Sequence, residues 1–297
     1  MKEKQLLLGT AQWGWTVSKE KAFQILDAFY ERGFRQIDCA TNYPINKIEA
    51  NFRAAEKIVI EWIQTNAVQD VEVMIKIGSV NNFRTPDCNL NPSFLLMNVE
   101  HYQRFLGQNL KTIMIHWDNR EEDDEIRKTL ETLQVIHSQG FNIGLSGIKY
   151  PEIYAKLNKQ FQLDFDIQIK YNILQSDYER YSDFHQKACF IAYGTNAGGI
   201  KLDTQAYNKN SVLAIRGGDL TNENERIMAL HSVLAKANEN KNRPSISSFF
   251  QVGMIHAFAN EDIKSIITAP SSVEQWNHTF NFFKTLQEND YQELRFS

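Results

Sequence analysis

Short apolar runs rich in β-branched residues recur along the chain, separated by longer segments whose apolar positions fall at i, i+3, i+4 and i+7. The runs are QLLLGTA near residue 7, FRQIDCA near 37, VEVMIKIG near 75, KTIMIHW near 114, FNIGLSG near 144, DFDIQIKYN near 168, CFIAYG near 191 and SIITAP near 267. Each reads as a strand, which makes eight. Between them, Ala22, Ile25, Leu26 and Phe29 before Gly33, and Ile126, Leu130, Leu133 and Ile136 before Gly140, form helical stripes that stop at a glycine able to take positive φ. PSFLLMNVEHYQRFLG predicts a further helix, with Ser93 as its cap and Leu95, Val99, Tyr102 and Leu106 buried. Strand and helix alternating in this way predict a (β/α)8 (TIM) barrel, and no linker or composition shift marks a second domain within residues 1–297.

One interval breaks the rhythm. About 70 residues separate the seventh strand from the eighth: a polar loop from about 194 to 220, then the helical patterns NERIMALHSVLAKANE and SISSFFQVGMIHAFAN. On a barrel such a long loop and its extra helix hang over the C-terminal mouth, where barrel enzymes keep their chemistry.

Charge and composition narrow the partners. An apolar fraction of 42% and a charged fraction of 23% suit a soluble globular chain, and a net charge of −4 without a basic block gives no nucleic-acid surface. The opening MKEKQLLLG is too short for a signal segment and no apolar run reaches membrane length, so a cytoplasmic protein is expected. Cys39, Cys88 and Cys189 are too scattered for a disulfide framework or a metal site. His101, His137, His185, His231 and His256 fall on helical patterns and read as surface or packing residues, and the acidic run NREEDDEIRK as a solvated helix start.

The predicted strands deliver polar side chains to the mouth: Asp38 from the second, Lys76 from the third, His116 from the fourth, and Gln168 and Lys170 from the sixth. An unpaired charge at the end of an apolar strand costs several kcal/mol, so these groups are expected to meet one another. A carboxylate satisfies the ammonium, and the ammonium stabilises the phenolate of a nearby tyrosine, here Tyr43. Tyr43 then serves as a proton donor to a developing alkoxide, with His116 orienting the carbonyl; general acid catalysis of this kind is worth roughly 100- to 10,000-fold.

Asp, Tyr, Lys and His in this order on successive strands resemble the catalytic tetrad of the aldo-keto reductases. The resemblance runs over essentially the whole chain: LLLGTAQWGW is similar to the family's first strand, GFRQIDCATNY to its Asp-to-Tyr segment, GLSG to its Gly-x-Ser-Asn, IQIKYNIL to its Gln-x-x-Tyr-Asn strand, and IAYGTNAGGI to its turn after the seventh strand. It implies hydride transfer between a nicotinamide cofactor, usually NADP(H), and a small-molecule carbonyl or alcohol. By the same resemblance Ser146 and Gln168 hold the carboxamide and Tyr193 stacks on the nicotinamide. Gly198, Gly199 and the loop to Asp219 cover the pyrophosphate, and Ser271, Ser272 and Gln275 lie at the adenosine phosphate.

Several positions depart from the family pattern. An insertion after Tyr43 delays the helix containing Glu56, Gly147 stands where asparagine is usual, proline does not follow Tyr193, and Gln275 takes the place of a basic residue, followed by His278 and Thr279. NAD(H) therefore stays open beside NADP(H). Trp13, Trp15 and Trp117 are candidates to line a substrate pocket, although the first two suit core packing nearly as well. The aromatic mouth, with a chain that ends soon after the last helix, points to sugars or small aldehydes. Two other readings stand beside this one: a barrel aldolase with Lys170 as Schiff-base lysine, and a non-catalytic nicotinamide-binding subunit.

Overall fold

The computed structural model describes residues 4–207, 212–215, 218, 220, 221, 225–291 and 294. Eight parallel strands close into a barrel in the order β1 to β8: Gln5–Gly9, Gln36–Ala40, Glu72–Ile77, Leu110–His116, Asn142–Ser146, Phe165–Lys170, Cys189–Tyr193 and Ile263–Thr268. Helices α1 (Lys19–Glu31), α2 (Ala54–Thr65), α3 (Pro92–Leu106), α4 (Asp123–Ser138) and α5 (Pro151–Phe161) follow the first five strands. The β6 to β7 crossover is a 3-10 segment, Tyr178–Phe184, and α9 (Val273–Glu288) closes the ring after β8. The architecture is the (β/α)8 barrel expected from the alternation of strands and stripes.

Strand residues alternate between two environments, as period two requires. One set faces the helices and joins the main core with their apolar stripes, including Ile37, Ile75, Ile113, Ile143 and Ile167. The other set points into the barrel, where Leu7, Met74, Met114 and Ile191 form a small separate cluster. Above that apolar layer the same inward rows end in the polar residues of the mouth. A cavity of about 320 Å³ bordered by Gln36, Glu72, Asn142 and Asp166 lies at the opposite, N-terminal end of the strands, away from them.

Local chemistry sets the helix ends. Pro92 occupies the first turn of α3, so the cap is Asn91, whose side chain accepts from the Ser93 N–H at 3.2 Å, rather than Ser93 itself. The acidic run does start a helix, with Asp123, Asp124 and Glu125 in the first turn of α4. The long β7 to β8 connection carries a 3-10 turn, Thr204–Ala206, and three described α-helices, α6 (Val212–Ile215), α7 (Glu225–Ala237) and α8 (Phe249–Ala259). Ser248 and Gln251 close a reciprocal capping box at the start of α8. A β-carbon on Gly253 would stand 2.0 Å from the Thr195 carbonyl oxygen, so only glycine lets α8 seat the loop that follows β7. Asp219 lies outside the described residues.

Candidate active site

The register of the barrel gathers the polar row. Ala40 aligns with Lys76, Asp38 with Met74, His116 with Ser146, Ser146 with Gln168, and Lys170 with Tyr193. The Lys76 ammonium, 1% exposed, pairs with the carboxylate of Asp38, 3% exposed. Gln168 Nε2 donates to the same Asp38 oxygen at 2.6 Å, and Ser146 Oγ donates to Gln168 Oε1 at 3.5 Å. The buried charges therefore meet one another, as the cost of isolating them demands.

Tyr43 lies over this pair. Lys76 Nζ is 4.8 Å from the centroid of its ring, and the ring meets His116 edge-on with centroids 6.1 Å apart. Burial, with the Lys76 charge adding to it, holds the His116 imidazole well below its ordinary pKa, so it is neutral at physiological pH. Its Nδ1 is buried without a hydrogen-bond partner among the described residues.

The inserted segment after Tyr43 is braced from two sides. Asn82, in the β3 to α3 loop and 1% exposed, donates to the carbonyls of Pro44 at 3.3 Å and Ile48 at 2.8 Å and to Asn46 Oδ1 at 3.2 Å. Its own carbonyl accepts from the Lys47 N–H at 3.1 Å. On the other side, Ala55 N–H donates to the Tyr43 carbonyl at 3.3 Å, and the start of α2 is held by buried Glu56, which Arg53 reaches at 2.5 Å and the Tyr102 hydroxyl also contacts. Burial pushes the Glu56 carboxyl up despite Arg53. Neither Asn82 nor the Arg53, Glu56 and Tyr102 cluster stood out as functional in the sequence.

Trp117 and Gly147 are one feature. Trp117 takes φ +64°, its ring is 4.9 Å from that of His116, and a β-carbon on Gly147, itself at φ +68°, would fall 2.5 Å from its Cδ1. The indole thus covers the space that a side chain at 147 would fill. Asp118, fully buried, anchors this turn through Arg120, at 2.9 Å to each carboxylate oxygen, and through the Tyr154 hydroxyl at 2.7 Å. Trp15 is half-buried beside the turn after β1. Trp13, 1% exposed, packs in the main core.

The remaining expected residues ring the mouth. Tyr193 ends the inward row of β7, half-buried, with its hydroxyl pKa raised mainly by burial. Gly198 and Gly199 take φ +83° and +99°, and the Gly199 N–H is committed to the Asn196 carbonyl at 2.9 Å. Ser272 caps α9 by accepting from the Gln275 N–H at 3.2 Å, while Gln275 Oε1 accepts from Ser271 N–H at 2.9 Å and Oγ at 3.0 Å. Lys170 sits beside Tyr193 at the end of β6. The polar atoms of Ser146 and Gln168, the Tyr193 ring and the positive-φ glycines beyond it thus follow one another around the mouth from β5 to the loop after β7. Among the described residues no group of three or more His, Cys, Asp or Glu side chains is gathered for a metal ion, and no helix is long and apolar enough to cross a membrane.

Comparison with known proteins agrees with this geometry. Residues 5–295 match the aldo/keto reductase family. The chain is 25% identical over 152 residues to "Putative aryl-alcohol dehydrogenase AAD6" of Saccharomyces cerevisiae, a stretch covering 48% of this chain and 67% of that protein. It is also 32% identical over 76 residues to "Uncharacterized 11.2 kDa protein in crtE 3'region" of Pseudescherichia vulneris, covering 25% of this chain and 74% of that protein. Matched over nearly its whole length, the chain belongs to the aldo/keto reductase family of oxidoreductases.

Proposed function

We propose that this protein reduces the carbonyl group of a small aldehyde, ketone or sugar to an alcohol with NADP(H), Tyr43 acting as general acid. The observation that carries the reading is the buried Lys76 and Asp38 pair lying under the Tyr43 ring, with a neutral His116 at its edge. A bound nicotinamide cofactor supplies the hydride. As charge develops on the carbonyl oxygen, Tyr43 passes its phenolic proton to it, and the Lys76 ammonium stabilises the phenolate left behind. Asp38, shared with Gln168, keeps that ammonium charged and in place. Neutral His116 orients the carbonyl without adding a second cation beside Lys76.

Ser146 and Gln168 hold the carboxamide, Tyr193 stacks on the ring, and Gly198 and Gly199 line the path of the pyrophosphate. The first turn of α9 offers hydroxyls and a helix dipole to the adenosine phosphate but carries no cation from Ser271 to Gln275, so NAD(H) binds more weakly without being excluded. Trp117, with the Cδ1 edge of its indole against Gly147, and Trp15 give the substrate an aromatic wall, which suits an aryl or other partly apolar carbonyl compound. The assembled tetrad weighs against a non-catalytic subunit, and a Schiff-base mechanism at Lys170 leaves Tyr43, Lys76 and His116 without work.

The test is a panel of aryl aldehydes, ketosugars and alcohols followed by NADPH absorbance, with NADPH and NADH binding measured by tryptophan fluorescence. NADPH should quench the fluorescence and at least one aldehyde should be turned over. Absence of quenching, binding heat and thermal shift with either nucleotide would remove the oxidoreductase reading.

A further inference from the structure

Among the described residues, Lys170 is a charged side chain at the mouth that hydride transfer does not use. It ends β6 on the same inward row as Gln168, in register with Tyr193, and is half-buried. Its stem passes Gly194, with Cγ 3.7 Å from where a β-carbon on that glycine would stand. The acids near it are engaged elsewhere. Asp38 is held by Lys76 and Gln168, and Asp177, whose N–H donates to the Lys170 carbonyl at 2.9 Å, pairs with Arg180 at 3.4 Å. Among the described residues nothing ion-pairs or hydrogen-bonds with the Lys170 ammonium.

The charge balance of the mouth follows. At the mouth Asp38 and Lys76 cancel and His116 is neutral, so Lys170 adds a positive charge there, while Asp166, the acid of the same β6 row, borders the cavity at the opposite end of the strands. A half-buried ammonium that no described residue neutralises has lost hydration that a bound anion restores. The strand order also separates it from the expected path of the dinucleotide phosphates. Gly198 and Gly199 follow β7 and Ser271 and Ser272 follow β8, whereas Lys170 belongs to β6, between β7 and the β5 strand that carries Ser146 and leads to Gly147 and the Trp117 edge, with its stem reaching as far as Gly194.

We propose that Lys170 determines substrate specificity by receiving a carboxylate or phosphate carried by the carbonyl compound, an inference that rests on the reductase reading. The protein would then prefer an anionic aldehyde to a neutral one of the same shape.

The experiment compares kcat/KM for 4-carboxybenzaldehyde and 4-methylbenzaldehyde in the wild type, Lys170→Met and Lys170→Arg, with NADPH affinity taken separately from fluorescence quenching. Wild type should favour the carboxylate, and Lys170→Met should lower that preference about 10- to 100-fold, mainly through KM, the span expected for a charge-assisted hydrogen bond. Lys170→Arg should keep most of the preference, and NADPH affinity should hold in both variants. An unchanged preference in Lys170→Met overturns the proposal, as does a loss confined to NADPH affinity, which would assign the cation to the cofactor. Reduction of both aldehydes by the wild type without preference refutes this inference alone; failure to reduce any carbonyl compound despite NADPH binding refutes the reductase reading beneath it.

Discussion

Replacing Lys76 by methionine separates what the buried ion pair does for the fold from what it does for the chemistry. The two side chains are 1% and 3% exposed, and among the described residues the Asp38 carboxylate keeps only its 2.6 Å hydrogen bond from Gln168 once the ammonium is gone. Breaking a buried pair costs about 3–5 kcal/mol, and the surviving hydrogen bond puts Lys76→Met near the lower end, about 3 kcal/mol. Asp38→Asn should cost a similar amount, since it strands the ammonium. The double variant Asp38→Asn/Lys76→Met carries no charge at all and should recover most of that loss, so the two costs will not add. Urea unfolding with linear extrapolation measures all three. Activity should behave differently: the double variant should be as inactive as Lys76→Met, because the phenol of Tyr43 has lost its cation in both. Single variants within about 1 kcal/mol of wild type, or strictly additive costs in the double, would refute the argument that the two charges stabilise each other.

Other expectations follow from the same geometry. Gly147→Asn, which restores the residue common in the family, should destabilise by about 1–3 kcal/mol because it meets Trp117 at a positive φ; thermal unfolding should show the loss shrinking when Trp117→Ala is added. Asn82→Ala removes the brace behind Tyr43 and should lower kcat while leaving NADPH affinity unchanged, and stopped assays paired with fluorescence titration check both. His256, stacked on Tyr171 at 4.6 Å, has its pKa pushed down by burial to about 4 from 6.5. The unfolded chain therefore takes up its proton first as pH falls, so stability is lost between those values, by up to about 1.4 kcal/mol per pH unit, and His256→Gln should flatten that slope in urea titrations.

The barrel was legible because its two periodicities are strong: strands facing both helices and barrel interior, and helices with one apolar stripe. Asp38, Lys76 and His116 were legible for the opposite reason, since charged or polar groups at the ends of apolar strands break the pattern. What escaped depends on contacts distant in sequence. Asn82 reaches Pro44 across 38 positions, Tyr102 reaches Glu56 across 46, and Tyr154 reaches Asp118 across 36. No local spacing announces these pairs, although Arg120 two residues after Asp118 was a local hint of that anchor. Trp13 was ambiguous because an aromatic residue after a strand reads the same whether its turn folds it inward or toward the mouth. Gly147 was visible as a departure, but its consequence needed the position of the Trp117 indole. The Ser93 cap was displaced because Pro92 fits the first helical turn and leaves Asn91 to accept the free N–H.

The most direct test of the account is the turnover of Tyr43→Phe. The substitution keeps the ring above Lys76 and the packing against His116 and removes only the hydroxyl that donates the proton. With the best carbonyl substrate of the wild type, kcat should fall by about two to four orders of magnitude while NADPH affinity changes little. A Tyr43→Phe protein that reduces the same substrate at nearly the wild-type rate would contradict the assignment of Tyr43 as the acid.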